Sequence, residues 1–270
     1  SSAKFVPKES VLIAMYGATV GRVGYLKIDS TTNQAACALV VDSEITNPKW
    51  LYYSILATRD SLIDKANGAA QQNISVSIVR NHQIKYVPLE EQERIAGILG
   101  SLDDKIEANT RLIQTLDSLG EAVTRKYLKS VQKTQKLNDI AHIVMGQSPK
   151  GETLNTEGSG VLFFQGKKDF GFRYPTPRTY TTAATRMAEP LDILFSVRAP
   201  IGALNRSVEA CCVGRGLAAI RSSCGQENTL FYTLKTNPNL WEKFEGEGTI
   251  FSAINKKGLS ELDIPFSETA

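Results

Sequence analysis

The sequence predicts an α/β (α+β) protein: two repeated globular units, each a mixed sheet with short helices, joined by a long coiled-coil helix. Three observations lead there. The stretch Leu89 to Val131 has no proline and carries apolar residues at alternating steps of four and three, the period of a heptad seam. On either side lie short runs rich in β-branched and aromatic residues, bounded by glycine turns. The runs on one side recur on the other in the same order, at an offset of about 177 to 182 residues, as internal repeats do.

The central helix is the most regular element. Ile95, Leu99, Leu102, Ile106, Ile113, Leu116, Val123 and Tyr127 form the seam, broken at Asn109 and Gly120. A polar residue in a seam lowers stability and fixes register. Leu99, Leu102, Ile106, Asn109, Ile113, Leu116 and Val123 are therefore the expected helix-pairing residues, and a homodimer through this helix is one expected outcome. At about 1.5 Å per residue the stretch is on the order of 60 Å long, which suits a spacer. Glu90, Glu91 and Gln92 fall in its first turn, where negative side chains suit the positive end of the helix dipole.

In the first unit, VLIAMYG (11–17), GRVGYLKI (21–28) and CALVVD (37–42) read as strands, the last apolar along its length and so expected to be buried. Pro48 opens a helix, PKWLYYSILATRDSLIDKA, with Leu51, Ile55, Leu62 and Ile63 on one face. NGAAQQNIS (67–75) reads as a polar loop and IKYVP (84–88) as a closing strand.

In the second unit, LNDIAHIVMGQSP starts amphipathic and ends in a turn. FFQGKKDFGFRYPTPRTYTT (163–182) reads as an irregular exposed segment, DILFSV (192–197) as a strand, RAPIG (198–202) as a turn, and GLAAIRS (216–222) as a buried strand. LFYTLKTNPNLWEKF (230–244) is a helix broken at Asn237-Pro238, followed by a loop, a turn of helix and a last strand. The expected segments are residues 1–88, the helix 89–133, and 134–270. Residues 137–191 have no counterpart before residue 4, and the helix has none after Ala270, so the chain reads as a longer two-repeat protein trimmed at both ends.

Composition sets the outer bounds. The chain has 270 residues, is 42% hydrophobic and 22% charged, and carries a net charge of +3, a mild basic excess that permits a nucleic-acid partner without demanding one. Cys37, Cys211, Cys212 and Cys224 form no CxxC pair, and His82 and His142 lie far apart. We expect no metal, no cofactor, and a reduced cytoplasmic setting. There is no apolar run of roughly 18 residues, so no membrane insertion is expected.

Four stretches together carry a family resemblance: GQSP (146–149), VRAPIG (197–202), GATVG (17–21) and, most specific, IKYVPLEEQERIAGILGSLDDKI (84–106). Essentially the whole chain resembles the specificity subunit of type I restriction–modification enzymes. The resemblance implies that each repeat is a target recognition domain followed by a long helix. It implies that the two domains each read half of a split site in double-stranded DNA. It further implies that the helices pair antiparallel and dock methyltransferase subunits, and through them the restriction and translocase subunit. The residues agree in what they lack: no Asn/Asp-Pro-Pro-aromatic loop for amino-methylation and no GxxxxGK[ST] phosphate loop. A non-catalytic subunit is expected. Two other readings stay open: the recognition part of a fused restriction–methylation enzyme, or a truncated scaffold or dimerisation form without DNA binding of its own.

Candidate contacts cluster in 146–186, where Lys150, Lys167, Lys168, Arg173, Arg178 and Arg186 outnumber Glu152, Glu157 and Asp169, and Tyr174 is among five interleaved aromatics. Basic residues hold phosphates and pair with guanine edges, though a solvated loop over core aromatics explains the same pattern. Gln147, Ser148 and Thr153 suit hydrogen bonds to DNA or plain turns. Arg198, at a strand end, either reaches DNA or bridges its own turn. In the first unit Gln71, Gln72 and Asn73 carry amides suited to adenine, or cap the next element; Thr249 and Ser252 lie on the matching second loop. Helix residues outside the seam, such as Asp103, Asp104, Arg111 and Arg125, are expected to face methyltransferase subunits. The Cys211-Cys212 pair has no histidine near it in sequence and reads as packing.

Overall fold

A computed structural model describes residues 4–66, 73–244 and 253–267. The chain divides into two compact units, Ser1–Leu112 and Ile113–Ala270, with the boundary inside the long helix.

The first unit runs β1 (Lys4–Val6), β2 (Val11–Ala14), β3 (Val23–Tyr25), β4 (Ser30–Thr32), β5 (Ala36–Leu39), α1 (Pro48–Ala57), α2 (Arg59–Ile63), α3 (Val76–Arg80) and the first part of α4 (Leu89–Leu128). β2 lies between β3 and β5, antiparallel to both, and β1 pairs with β4. Ile13, Met15, Ile55, Leu62, Ile74 and Val79 form the core, with Leu51 and Ile63 packed against it. α1 starts where Asn47 accepts from the Trp50 amide at 3.0 Å ahead of Pro48, a side-chain cap with proline in the first turn.

Three readings are corrected here. The stretch 37–42 is not buried through its length: β5 is half-buried throughout and Val40 is exposed, because this sheet packs its core on one face only. The predicted single helix from Pro48 is two helices, separated at Thr58, whose hydroxyl bonds back to the Ser54 carbonyl at 2.8 Å. Residues 84–88 are not a strand, since among the described residues no strand lies beside them; instead they deliver the chain to α4.

The second unit takes the rest of α4 and then β6 (Thr134–Lys136), α5 (Leu137–Ile140), β7 (Ala141–Met145), β8 (Leu154–Asn155), β9 (Val161–Phe164), β10 (Tyr180–Thr181), β11 (Met187–Ala188), β12 (Ile193–Ser196), β13 (Leu204–Arg206), β14 (Cys211–Val213), β15 (Leu217–Ser222), α6 (Glu227–Thr236), α7 (Lys256–Ser260) and β16 (Asp263–Pro265). One sheet has the order β13-β12-β15-β7, all antiparallel, and a second the order β11-β14-β9-β10-β8. The first is buried on both faces. Ile193, Phe195, Ala218 and Ile220 point into a core shared with α6 and α7, while Leu194, Leu217 and Ala219 point into one shared with Phe164, Cys211 and Val213. Alternating side chains with both faces covered produce the continuous apolar runs in this part of the sequence. The segment 163–182 is less irregular than its composition suggests: Phe163, Phe164, Asp169, Pro175 and Thr181 are buried.

The repeat is visible in three dimensions. In the first unit the Ile74 amide donates to the Met15 carbonyl at 2.7 Å, and in the second Ile254 donates to Val197 at 3.0 Å. Tyr16 bridges Asn73, and Arg198 bridges Ala253. α3 and α7, which follow these contacts, are capped by Ser75 and Asn255.

Each unit holds its part of α4 by polar anchors. In the first, Gln92 is fully buried; its carbonyl accepts from the Asn47 amide at 2.9 Å and its amide donates to the Val87 carbonyl at 2.8 Å. The Tyr53 hydroxyl donates to Asp103 at 2.7 Å, and Lys27 pairs with Glu107. In the second unit Asp117 accepts from Tyr232 at 3.1 Å and pairs with Lys235 and with Arg173 at 3.4 Å, while Lys235 also reaches Glu121 at 3.1 Å. The Tyr127 hydroxyl accepts from the Ser267 amide at 3.0 Å. Gly120 is no seam defect: a Cβ there would lie 2.5 Å from the Tyr232 ring, so the bare backbone makes room for that tyrosine.

The Gln92 clamp makes a testable demand. Gln92→Ala removes the partner of the half-buried Asn47 amide and Val87 carbonyl, and the first unit is expected to lose about 2 kcal/mol, on the order of 10 °C in midpoint for a unit this size. Exposed Glu93→Ala should change little. Thermal unfolding of both variants checks this.

Candidate nucleic-acid interface

Strand direction builds one rim in the second unit. β14 and β9 run parallel, with Val213 opposite Phe164, so their carboxyl ends finish side by side. β7 and β12 both run antiparallel to β15, which places their carboxyl ends at its start: Met145 faces Ala218, and Ser196 faces Leu217. Four strand ends and the β14–β15 turn thus converge.

Backbone hydrogen bonds weld the rim. Gly146 donates to Leu217 at 2.9 Å, Gln147 to Val213 at 2.9 Å, Gly214 to Phe164 at 2.9 Å, Gly216 to Gln165 at 3.2 Å, and Val197 to Gly216 at 3.0 Å. The Ser148 hydroxyl donates to the Gln165 side-chain carbonyl at 3.0 Å and accepts from the Arg215 amide at 3.3 Å. Such close approach requires glycine at two places: a Cβ at Gly146 would overlap the Gly214 carbonyl oxygen, and one at Gly216 would sit 2.5 Å from that of Gln165. The GQSP and GRG stretches therefore have a structural reason for their glycines.

Lys167, Lys168 and Arg198 line one open cavity of about 400 Å³ on this rim. They come from two segments, the Lys167–Asp169 turn and the turn after β12, and all three are exposed. The carboxylate of the same turn is withdrawn: Asp169 is buried and accepts from the Gln165 amide at 3.1 Å. Gln147 and Arg215 are also exposed on the rim. Arg215 and Gln165 escaped the sequence reading. The signal for Arg215 was a lone arginine between two glycines, flanked by apolar runs, which marks an exposed tip between buried strands.

The other predicted contacts lie elsewhere. Lys150 is exposed and sits 3.9 Å from Glu152, a surface pair worth little. Arg178 is exposed, and Tyr174 is 44% exposed. Arg173 faces α4: it donates to the Tyr232 hydroxyl at 2.8 Å, pairs with Asp117, and lies 5.4 Å from the Phe231 ring centroid. Its guanidinium pKa is raised despite the opposing effect of burial, because Tyr232 and Asp117 stabilise the charge. In the first unit Asn73 is exposed beside Tyr16, and Gln71 and Gln72 lie outside the described residues, as do Thr249 and Ser252. Cys211 and Cys212 are fully buried, and burial first, then neighbouring negative groups, pushes the Cys211 thiol up to about 12, so that thiol is inert at neutral pH.

On α4 the apolar side chains stay in solvent. Leu102, Ile106, Ile113, Leu116 and Val123 are each exposed, as are Ile98, Leu112 and Leu119, which the sequence reading left out of the seam. Asn109 is exposed among them, and Leu99 is half-buried. Asp103 is held by Tyr53, while Arg111 and Arg125 pair along the helix with Glu107 and Glu121. No helix among the described residues is long and apolar enough to cross a membrane, and among them no group of acidic, histidine and cysteine side chains suits a metal ion.

Comparison with known proteins places this architecture. Residues 1–118 match the family model described as the type I restriction modification DNA specificity domain. The protein assigned as the MjaX type I restriction enzyme specificity subunit of Methanocaldococcus jannaschii is 34% identical over 218 residues, which is 72% of this chain and 51% of that protein. The chain thus spans about half the length of that relative. The HsdS subunit of Thermoanaerobacter tengcongensis is 30% identical, with 98% of this chain and 71% of that one covered and a TM-score of 0.46. The type I restriction-modification S subunit of M. genitalium has the same fold, with a TM-score of 0.65, 19% identity, and coverage of 98% and 73%.

The welded rim predicts a contrast between two glycines. Gly146→Ala forces backbone apart and should destabilise the second unit by about 2 kcal/mol. A Cβ at Gly166 meets nothing within 4 Å, so Gly166→Ala should leave the unfolding midpoint unchanged. Thermal melts of the two variants decide it.

Proposed function

From the premise that the chain belongs to the type I restriction–modification specificity-subunit family, we propose that it is a non-catalytic DNA-recognition subunit acting inside the cell. Its two repeated units, bounded as 1–88 and 134–270, each grip half of a split duplex site, and the helix 89–133 sets their separation. Methylation and cleavage fall to companion methyltransferase and restriction subunits that it docks. One observation carries the reading: Lys167 and Lys168 on one turn, Arg198 on a second and Arg215 on a third gather with the side-chain amides of Gln147 and Gln165 on one rim, where the carboxylate of the lysine turn, Asp169, is buried. Cations hold phosphates, and amides and arginines suit base edges in the major groove. Lys150, Arg178 and Tyr174 extend the proposed surface, and Asn73 with Gln71 and Gln72 supply the amide loop of the first unit. Arg173 contributes by tying the 163–182 segment to α4 rather than by facing solvent.

The exposed stripe on α4 favours a second property of the same protein. Leu102, Leu116 and Val123 stand in water with Asn109 among them, the composition of a helix-pairing face. We assign it to a second helix of the same kind, supplied by another copy when the chain stands alone.

Both parts are testable. Binding to duplex DNA, followed by fluorescence anisotropy, should weaken steeply as salt rises, because phosphate contacts release counterions; a flat salt response would sink the DNA reading. Sedimentation should show self-association that the Leu102→Lys/Leu116→Lys double variant abolishes. A wild-type chain that stays strictly monomeric at high concentration would contradict the pairing face.

A further inference from the structure

The rim is not uniform. Its cavity of about 400 Å³ is lined by Lys167, Lys168 and Arg198 together with Gly166, Pro200 and Gly216. Its other polar groups are already engaged. The Ser196 hydroxyl donates to the Arg198 carbonyl at 2.9 Å and so fixes the turn that carries the arginine. The Gln165 amide holds Asp169 beneath the surface. Among the described residues, none of the three cations has a carboxylate within ion-pair distance. Gly166 in the lining has open space around it: a Cβ there would touch nothing.

Three cations facing one concavity repel each other, and a small compact anion between them removes that repulsion. A base edge presents a mixed row of donors and acceptors and calls for an amide or a bidentate arginine. This cavity offers two adjacent lysines and an arginine from a second turn, with no carboxylate in its lining, the arrangement suited to the oxygens of a phosphodiester. We propose that it seats one backbone phosphate of duplex DNA. The seat would set the register of the second unit on the duplex without reading sequence, leaving base discrimination to rim side chains outside it. This rests on the DNA-recognition reading and narrows it to one contact and one chemical group.

The test is a titration of the full chain with labelled mixed-sequence duplex DNA across a range of potassium chloride. The Lys167→Gln/Arg198→Gln double variant should lower the slope of log affinity against log salt by about one, the value for one lost phosphate contact, and equally for duplexes of different sequence. Arg198→Lys, which keeps the charge, should hold the wild-type slope, and so should Lys126→Gln on the helix. Circular dichroism confirms that each variant is folded; if the double variant is not, the single Arg198→Gln variant carries the comparison. Wild-type binding that ignores salt would overturn DNA recognition itself. Normal wild-type behaviour with an unchanged slope in the variants, or a loss confined to particular sequences, would overturn the phosphate seat alone.

Discussion

The constraint on which this molecule depends is the way α4 is held. A helix in a globular domain usually docks by its apolar stripe. Here each unit takes hold largely through polar groups and, in the second, a glycine: Gln92, Asp103 and Glu107 in one, and Asp117, Glu121, Gly120 and Tyr127 in the other. A hydrogen-bonded carboxylate such as Asp117, buried between a tyrosine and a cation, fixes position and rotation together, because its partners have defined directions. Apolar contact alone is non-directional. Anchoring of this kind leaves Leu102, Ile106, Leu116 and Val123 free of intramolecular duty, and their exposure follows from it.

The same logic recurs in the two units. Tyr53 on α1 donates to Asp103, and Tyr232 on α6 donates to Asp117. The framework contacts of Ile74 with Met15 and of Ile254 with Val197 match in kind. The tips mounted on this shared framework differ. Tyr16 occupies the bridge position that Arg198 holds in the second unit. The frame is duplicated while its tips diverge, since core packing tolerates little change and exposed turns tolerate much.

The second unit shows why the rim is rigid enough to present charge. Its central sheet is buried on both faces, so the strand ends have little freedom. A salt-screened surface lysine contributes little wherever it floats; here two lysines of one turn and an arginine of another are held around one cavity. Arg173 is the counterpart inside: with the Phe231 ring and Asp117 it joins the 163–182 segment to the helix. The cation-bearing rim and the long helix are therefore mechanically linked within this unit.

Much of this was legible in the residue order. The heptad spacing located the helix, because a 3.5-residue period is local information. The apolar runs DILFSV and GLAAIRS marked strands, the second as buried, and the repeat of elements exposed the two-unit plan. Exposure along the helix was not legible: periodicity identifies an apolar stripe and says nothing of what covers it, so Ile98, Leu112 and Leu119 went unnoticed and Gly120 was taken for a break. Nor could spacing alone separate Arg173, turned inward to Asp117, from Lys167 and Lys168, turned outward a few residues away. Those assignments rest on which strand ends meet, and strand ends meet through pairings between residues far apart in the chain. Local physics set the elements; only the long-range pairing of β9 with β14, and of β15 with β7 and β12, decided which side chains share one site.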